Sequence, residues 1–486
     1  MHNTAFQTAR ITKDRNFDGK FFFGVKTTGV FCRPSCPSPI AKEENVIYFQ
    51  TLFEALSQGF RPCLRCRPDM NVEYYNGNVD GVSIVNSALK MIYEGYLNDH
   101  SISDLSKAFY ISDRHLRKLF VENLGMPPVR IAKYHKALFA RKLLFASDLS
   151  ITHIAYASGF GSTRQFNDVF KDVFGQTPSM IRKESKDESQ YQGNTTLLLK
   201  YKKPFDFKQV LFFLKQRAIK GIEAVTENSY SRTFRIDNIK GFFTVTDCPS
   251  KSALELKINC EDIKCYMKIY NKVRRMFDLD TDFSMINEMF SKDDVLSKGM
   301  ENGHVPRLPI AFNTFEFVIR AILGQQITIK AATTLAGRIA EKAGIECGSF
   351  FPDGLNYFFP TPEELLKIDL NGLGITKTRQ ETILNVTNCI LNKVVSLDAN
   401  QPFQKFHKDF SSIKGIGDWT VHYVAMRGMG MVDSFPSKDL GIIKALTKGE
   451  KMLSQKEIIQ TAEKWRPYRA YAALCLWHYQ SKKELS

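Results

Sequence analysis

Four cysteines occupy two short segments near the start of the chain, "FCRPSCPSPI" (31–40) and "RPCLRCRPDM" (61–70). Three residues separate Cys32 from Cys36, and two separate Cys63 from Cys66. Four thiolates at such spacings favour one tetrahedral zinc ion. A shielded site would only stabilise the fold, whereas an exposed zinc-bound thiolate is a nucleophile at neutral pH. Spacing alone favours the structural interpretation, because closed tetrathiolate sites are common, and leaves the reactive one open.

The surroundings of these cysteines and the overall charge point to a polyanionic partner. Planar guanidinium groups suit phosphate, and four of them flank the motif: Arg33, Arg61, Arg65 and Arg67. A formal charge of +16 over 486 residues favours nucleic acid before a membrane surface. No apolar run approaches the ~18 residues of a membrane span, and the N-terminus lacks a signal-peptide pattern. We expect a monomeric, cytoplasmic, nucleoid-associated bacterial protein that binds double-stranded DNA, with RNA polymerase as a further candidate partner.

An internal repeat with an offset of 50 residues follows. "SDRHLRKLFVENLGMPP" (112–128) matches "STRQFNDVFKDVFGQTP" (162–178), and a shorter helical pattern precedes each copy. A short helix, a tight turn and a Ser-capped second helix are typical of helix-turn-helix units. The early residues of each second helix are expected at base edges in the major groove. They are Asp113, Arg114 and Arg117 in the first unit, and Thr163, Arg164, Gln165 and Asn167 in the second.

The charge around the repeat and the patterns after it suggest how the chain is organised. Residues 104–142 hold nine Lys or Arg against three Asp or Glu, which suits phosphate contacts, although a protein-binding helical bundle is an alternative. A polar linker is predicted at 186–196. The alternating segment "SALELKIN" (252–259) predicts a half-buried strand, as does "GFFTVT" (241–246), and helical patterns return from about residue 285.

Two features of the C-terminal part could handle DNA. In "FSSIKGIGDW" (410–419), Gly415 and Gly417 would allow a tight turn and close approach of the backbone to a phosphate. Such a hairpin grips DNA without reading its sequence. Downstream, Asp439 follows a Pro-containing loop at a predicted helix start. By itself, this residue could be an ordinary helix-terminal carboxylate.

The N-terminal residues resemble a known family. "TTGVFCRPSC" (27–36) and "GFRPCLRCRPD" (59–69) are similar to the zinc domain of the Ada methylation-response family. The resemblance implies that Cys32 accepts a methyl group from a DNA methylphosphotriester, and that Cys32, Cys36, Cys63 and Cys66 hold one zinc ion. Loss of a negative charge on methylation would raise DNA affinity and act as a switch. The repeat resembles the AraC-type domain that follows it in Ada; no Pro-Cys-His-Arg motif of the alkylguanine transferase domain is present.

Most of residues 197–480 resemble the AlkA branch of the helix-hairpin-helix glycosylases. The similar segments include "RLPIAFNTFEFVIRAILGQQIT" (307–328) and "EKWRPYRAYAALCLWHY" (463–479). The resemblance implies excision of alkylated bases, with Asp439 as the catalytic carboxylate that stabilises an oxocarbenium-like sugar and activates water. A flipped, cationic base would stack on aromatic rings. The implied pocket comprises Trp419, Tyr423, Trp477 and Phe213, of which Tyr423 and Phe213 could instead be ordinary core residues.

Three positions depart from the AlkA pattern. Gln326 stands where an apolar Leu wedges into the vacated base stack, Leu440 replaces a Tyr after the catalytic Asp, and His478 replaces another Tyr. These departures bear on which damaged bases are excised. Trp419 takes the place of the Lys of glycosylases with lyase activity, which implies a monofunctional enzyme without a Schiff base.

The sequence therefore predicts a multidomain, mainly α protein with α+β parts. The predicted order is a zinc-binding methyl-acceptor domain (1–78), a tandem helix-turn-helix domain (82–185), the linker, an α+β domain (197–284) and an all-α helix-hairpin-helix glycosylase domain (285–486). Two alternatives remain: a damage-binding transcription regulator with structural zinc and no glycosylase turnover, and a DNA-targeted glycosylase whose Cys32 is unreactive.

Overall fold

The computed structural model describes residues 2–14, 17–63, 65–66, 68, 83–147, 149–185, 196–447 and 452–485. Arg67 and, apart from Thr196, the predicted linker lie outside these ranges. The chain divides into two compact units, residues 1–197 with 262–271, and residues 198–261 with 272–486. Within the described ranges, no helix is long and apolar enough to cross a membrane.

The first unit begins with a small four-stranded sheet. Strand Phe22–Val25 pairs antiparallel with both Val30–Cys32 and Val46–Phe49, and Val30–Cys32 pairs parallel with Arg61–Pro62. The parallel register places Val30 opposite Arg61 and Phe31 opposite Pro62. The first cysteine of each pair therefore lies at the same end of two neighbouring strands. Helices His2–Ile11 and Leu52–Ser57 and the short 3-10 turn Glu43–Asn45 accompany the sheet.

The predicted repeat forms two helix-turn-helix units. The recognition helices Asp113–Leu124 and Thr163–Phe174 follow the shorter helices Ile102–Ala108 and Ile151–Ala157. As predicted, Ser112 and Ser162 cap them by accepting the backbone N–H groups of His115 and Gln165. Both end at a glycine in the left-handed region, Gly125 and Gly175. The remaining helices of this part are Ser83–Tyr93, Tyr96–Asp99, Pro128–Ala146 and Pro178–Ser185.

The second unit contains a five-stranded sheet. Its strands, in spatial order, are Thr196–Lys200, Ala253–Cys260, Ile239–Cys248, Ser229–Ile236 and Glu223–Val225. The two predicted strands are confirmed, and in Ala253–Cys260 the apolar residues are buried while Lys257 is exposed. Buried Arg232 of this sheet donates to the carboxylate of Glu316, 2.6 Å away, and thereby ties the sheet to helix Thr314–Leu323.

Helices make up the rest of the second unit and enclose two hydrophobic cores. One core contains Val318, Ile383, Phe406 and Val424, and the other contains Ile286, Ile442, Tyr471 and Met426. The segment that follows the hairpin helix thus contributes to both cores. The helices are Phe207–Lys215, Phe283–Ser291, Leu296–Gly299, Thr314–Leu323, Ile329–Ala343, Pro362–Leu365, Lys377–Leu391, Phe403–Ser411, Asp418–Tyr423, Leu440–Leu446, Gln455–Ala462 and Arg469–Leu485, with a π-helical turn at Val424–Gly428; Tyr266–Met276 begins in the first unit and ends in the second.

Candidate active site and metal centre

The four cysteine sulfurs of the first unit converge. All four residues are buried, and their Sγ atoms lie within 4.8 Å of one another. The strand pairing brings Cys32 and Cys63 together, since the Cys63 amide donates to the Phe31 carbonyl at 2.9 Å. A turn, in which the Cys36 amide donates to the Arg33 carbonyl, brings in Cys36. Sulfurs about 2.3 Å from a common centre would be spaced like this, so the cluster fits a tetrahedral zinc ion.

The arginines predicted around this cluster differ in their contacts. Arg33 is half-buried, and its guanidinium lies 3.3 Å from the Asp18 carboxylate. The same carboxylate accepts the backbone N–H of Ser35, so this pair also stabilises the turn between the two cysteines. Arg61 and Arg65 are exposed. Among the described residues, no carboxylate pairs with either of these two guanidinium groups.

The recognition helices present their early polar residues to solvent. Arg114, Arg117, Arg164 and Gln165 are exposed, as is Asn167. In contrast, the Asp113 carboxylate accepts a hydrogen bond from Ser106 at 2.5 Å. This hydrogen bond connects the two helices of the unit, and the predicted base contact by Asp113 stays a prediction.

The predicted catalytic carboxylate of the second unit is held by both predicted pocket tryptophans. Asp439 caps helix Leu440–Leu446, and its Oδ1 accepts the Ile442 amide at 3.1 Å. The indole N–H of Trp477 donates to the same oxygen at 2.8 Å. The indole N–H of Trp419 donates to Oδ2, also at 2.8 Å. Two indole N–H groups and one backbone amide thus orient both oxygens of this half-buried carboxylate.

The predicted pocket aromatics lie around this carboxylate. Trp419 and Tyr423, one helical turn apart, are stacked with ring centroids 4.8 Å apart and 15° between their planes. Tyr423 meets Trp477 edge-on at 6.4 Å. Arg427 lies between Phe213 and this group of rings. Its guanidinium lies 4.3 Å from the ring centroid of Phe213 and 5.8 Å from the ring centroid of Trp477. Arg217 also lies against Phe213, at 3.9 Å. Sequence reasoning missed both arginines.

The hairpin is built as predicted, with one difference. Gly415 has a φ of +92°, and a Cβ atom there would lie 2.2 Å from the Thr382 hydroxyl oxygen. Gly417 is extended, with a φ of −91°, and nothing lies within 4 Å of its missing Cβ. Only Gly415 therefore requires glycine for the turn itself. Both glycines are exposed.

Gln325, which the sequence analysis did not single out, connects this hairpin to the predicted wedge. Its amide donates to the Gly415 carbonyl at 3.0 Å and to the Thr420 hydroxyl at 3.2 Å. The next residue, Gln326, is exposed and has a φ of +58°, which is uncommon outside glycine. The two adjacent glutamines therefore have different tasks: one fixes the hairpin, and the other projects into solvent.

Hydrogen bonds that involve two histidines connect the helix that carries Trp419 to neighbouring segments. His407 Nε2 lies 2.8 Å from Asp418 Oδ1, and the Phe435 amide donates to His422 Nδ1 at 3.2 Å. Burial lowers the pKa of His422 to about 4, so its ring is neutral at pH 7. Burial also acts to raise the pKa of Asp418, but the His407 hydrogen bond and nearby positive charge outweigh it and lower that pKa overall.

Comparison with known protein families matches three regions of the chain. Residues 5–69 match the metal binding domain of Ada, residues 105–184 a helix-turn-helix domain, and residues 196–313 the AlkA N-terminal domain. A protein of Mycobacterium tuberculosis described as "Probable bifunctional transcriptional activator/DNA repair enzyme AlkA" is 33% identical over 470 residues, covering 96% of this chain and 94% of the relative. The chain belongs to the Ada–AlkA family.

Partial relatives divide this Ada–AlkA protein in the same way. The DNA-3-methyladenine glycosylase 2 of Escherichia coli is 28% identical over 283 residues, covering 58% of this chain and 96% of that protein. The Ada enzyme of the same organism is 31% identical over 172 residues, covering 35% of this chain and 47% of that protein. The 3-methyladenine DNA-glycosylase structure from Archaeoglobus fulgidus shares the fold of the C-terminal part, with a TM-score of 0.50 and 20% identity over 60% of this chain and 99% of that one.

These findings settle the nature of the metal centre. The buried cluster Cys32, Cys36, Cys63 and Cys66 coincides with the Ada metal binding domain. It forms one tetrathiolate zinc site. The predicted multidomain, mainly helical fold with small sheets is likewise confirmed.

Proposed function

We propose that this chain is a two-part alkylation-damage response protein. Its N-terminal half takes a methyl group from a DNA methylphosphotriester and controls transcription, and its C-terminal half is a monofunctional glycosylase for alkylated bases. The observation that carries the second part is the Asp439 carboxylate held by two indole N–H groups beside an aromatic cluster. The full-length similarity to a bifunctional transcriptional activator and DNA repair enzyme supports the combination.

Base release would depend on Asp439 and its surroundings. The damaged base leaves the stack and lies against Trp419, Tyr423, Trp477 or Phe213, whose electron-rich faces attract a cationic 3-methyladenine or 7-methylguanine. Asp439 stabilises the positive charge that develops on the sugar and accepts a proton from the attacking water. The N-glycosidic bond breaks, a C–O bond to water forms, and an abasic sugar remains. Trp419 fills the position of a lyase lysine, so no Schiff base forms.

DNA would be held by contacts to its backbone and by one inserted side chain. The exposed hairpin around Gly415 and Gly417 approaches phosphates, and exposed Gln326 fills the gap left by the flipped base. A polar wedge can also hydrogen-bond to the orphaned partner base.

Methyl transfer would occur at Cys32. Zinc supplies a thiolate at neutral pH. The Cys32 sulfur attacks the methyl carbon of the phosphotriester, an S–C bond forms, and the O–C bond breaks to leave an ordinary phosphodiester. The negative charge thus passes from the cysteine to the DNA. Arg33, Arg61 and Arg65 bind the backbone near this sulfur, while Arg114, Arg117, Arg164 and Gln165 contact promoter DNA.

An assay of base release from alkylated DNA tests the glycosylase. Asp439→Asn keeps a good helix cap but removes the charge, so release should fall on the order of 100-fold or more while DNA binding persists. Asp282→Asn is the matched control, because Asp282 caps another helix, Phe283–Ser291, which carries no residue of the proposed pocket. Retained release in Asp439→Asn would overturn the assignment, and absence of release from the wild type would leave a damage-binding regulator.

Intact mass after incubation with methylphosphotriester DNA tests the acceptor. The wild type should gain one methyl group and Cys32→Ala none, whereas Cys260→Ala, outside the cluster, should behave as wild type. Zinc retention without methylation of the wild type would show that the metal only stabilises the fold.

A further inference from the structure

Arg427 is an arginine buried inside the second unit. It lies in the π-helical turn Val424–Gly428 and is 5% exposed. Its Nη1 is 3.4 Å from the Pro309 carbonyl, and its Nε is buried without a hydrogen-bond acceptor. Among the described residues, no carboxylate pairs with it. A buried charge is ordinarily paired, because removing it from water is unfavourable.

The surroundings of Arg427 place it at the candidate base pocket. Its guanidinium lies against the rings of Phe213 and Trp477, and Trp477 is the residue that donates to Asp439. Trp419, Tyr423 and Arg427 follow one another at intervals of four residues, so the arginine continues the row of pocket side chains. Burial lowers its pKa to about 10, and the group remains protonated at neutral pH.

Stability alone does not account for a guanidinium here. An apolar side chain of similar length would fill the same space without the desolvation cost, and cation–π contacts offset only part of that cost. The Nε–H has no hydrogen-bond acceptor among the described residues. Pi-helical turns are frequent at functional sites, where they redirect one side chain.

We propose that Arg427 determines which damaged bases this site accepts, by donating a hydrogen bond to a carbonyl oxygen or ring nitrogen of the flipped base. The inference rests on the proposed glycosylase function and extends its substrate class. A neutral base with an acceptor on its inner edge gains a charge-assisted hydrogen bond. A cationic base meets a fixed like charge, which weakens the benefit of stacking. The pocket therefore favours neutral, carbonyl-bearing damaged bases relative to a pocket without this arginine.

The test compares two bases that share a carbonyl oxygen and differ in charge. Hypoxanthine is neutral, and 7-methylguanine is cationic. Single-turnover release from otherwise identical DNA duplexes, with enzyme in excess, gives a release rate constant for each base. Arg427→Met should lower the ratio of hypoxanthine to 7-methylguanine release by about tenfold or more. Arg427→Lys, which keeps the charge, should preserve the order of preference.

The controls separate specificity from folding. Arg469 is ion-paired with Asp433, so Arg469→Met removes an arginine from the same unit and should lower stability without changing the ratio. Arg427→Gln keeps a polar donor without charge and serves if the Met variant does not fold; its ratio should also fall.

The possible outcomes are distinct. A fall of the ratio in Arg427→Met or Arg427→Gln, but not in Arg469→Met, supports the role in specificity. An unchanged ratio in the folded neutral variants overturns it, even when total activity drops. Failure of the wild type to release either base would instead contradict the proposed glycosylase function, whatever the behaviour of the variants.

Discussion

Each oxygen of the Asp439 carboxylate accepts an indole N–H, so at the scale of single residues the orientation of this group depends on two tryptophans. Trp477→Phe keeps an aromatic face but removes one of the two donors. We expect base release to fall about tenfold to 100-fold, with a much smaller loss of binding to damaged DNA.

Single-turnover rates and titration of damaged DNA would check this expectation. Trp465→Phe is the matched control, because its indole N–H donates to Asp293 rather than to Asp439. Equal losses of binding and of rate in Trp477→Phe would mean that the ring, and not its N–H group, is what matters.

A second prediction at this scale concerns Asp278, a buried carboxylate that accepts the Leu308 amide and contacts the Tyr471 hydroxyl. Burial raises the pKa of Asp278 to about 6, above the ~3.9 of an unfolded chain. The folded state thus favours the protonated acid. This stabilising contribution, up to about 3 kcal/mol, is fully present below about pH 4 and is lost as the pH rises through 6.

Asp278→Asn fixes the neutral form, so the variant should gain stability relative to wild type as the pH rises from 4 to 7. Chemical unfolding across this range gives the difference in unfolding free energy. His422, whose pKa is lowered, acts in the opposite direction, but it is present in both proteins and cancels from the difference. A difference that does not change with pH would contradict the raised pKa.

At the scale of elements, substitutions of the two hairpin glycines would distinguish an effect on stability from an effect on DNA binding. Gly415→Ala should lower stability by about 2 kcal/mol or more, because the new Cβ meets Thr382 and the left-handed backbone disfavours a side chain. Gly417→Ala has an allowed backbone and open space, so stability should be unchanged.

DNA affinity then tests the proposed role of the hairpin. If the exposed hairpin approaches phosphates, the added methyl group of Gly417→Ala should weaken binding of undamaged and damaged duplexes alike, at full stability. Thermal unfolding and duplex titration of both variants provide the measurements. Unchanged affinity in Gly417→Ala would exclude close backbone approach at that residue.

Elements with strong local signals could be predicted from the sequence. The capping serines and the glycines 50 residues apart fix both recognition helices, and alternation fixes the strand Ala253–Cys260. Residues whose environment arises from packing could not be predicted in this way. Arg427 lies in "MRGMG", and nothing in this segment indicates that its side chain is buried. Asp113 stands at the start of a helix, and nothing near it in the sequence indicates its hydrogen bond with Ser106.

The left-handed backbone of Gln326 could not be predicted from the sequence either. Nothing in "LGQQIT" distinguishes it from Gln325, whose contacts with Gly415 and Thr420 come from residues about 90 positions away. The sequence therefore predicts those site residues that belong to a recognisable motif. It does not predict residues whose role depends on a contact between distant segments of the chain.

At the scale of the whole molecule, zinc and Asp439 belong to different compact units. Replacement of a ligand by Cys36→Ser should abolish zinc binding and methyl acceptance while base release changes by less than about twofold, as expected for independent sites. Zinc content, intact mass and release rate on the same preparation would check this. A parallel loss of base release would reveal coupling between the units.

The chain contains only three tryptophans, and two of them donate to the same carboxylate. The third, Trp465, is buried in the core that surrounds Ile286 and Tyr471. The tryptophan fluorescence of the protein therefore comes largely from the candidate active site, and Trp465 serves as an internal reference. A base that stacks on those indoles would quench them, so base flipping could be timed in the unlabelled protein, separately from the bond cleavage that follows.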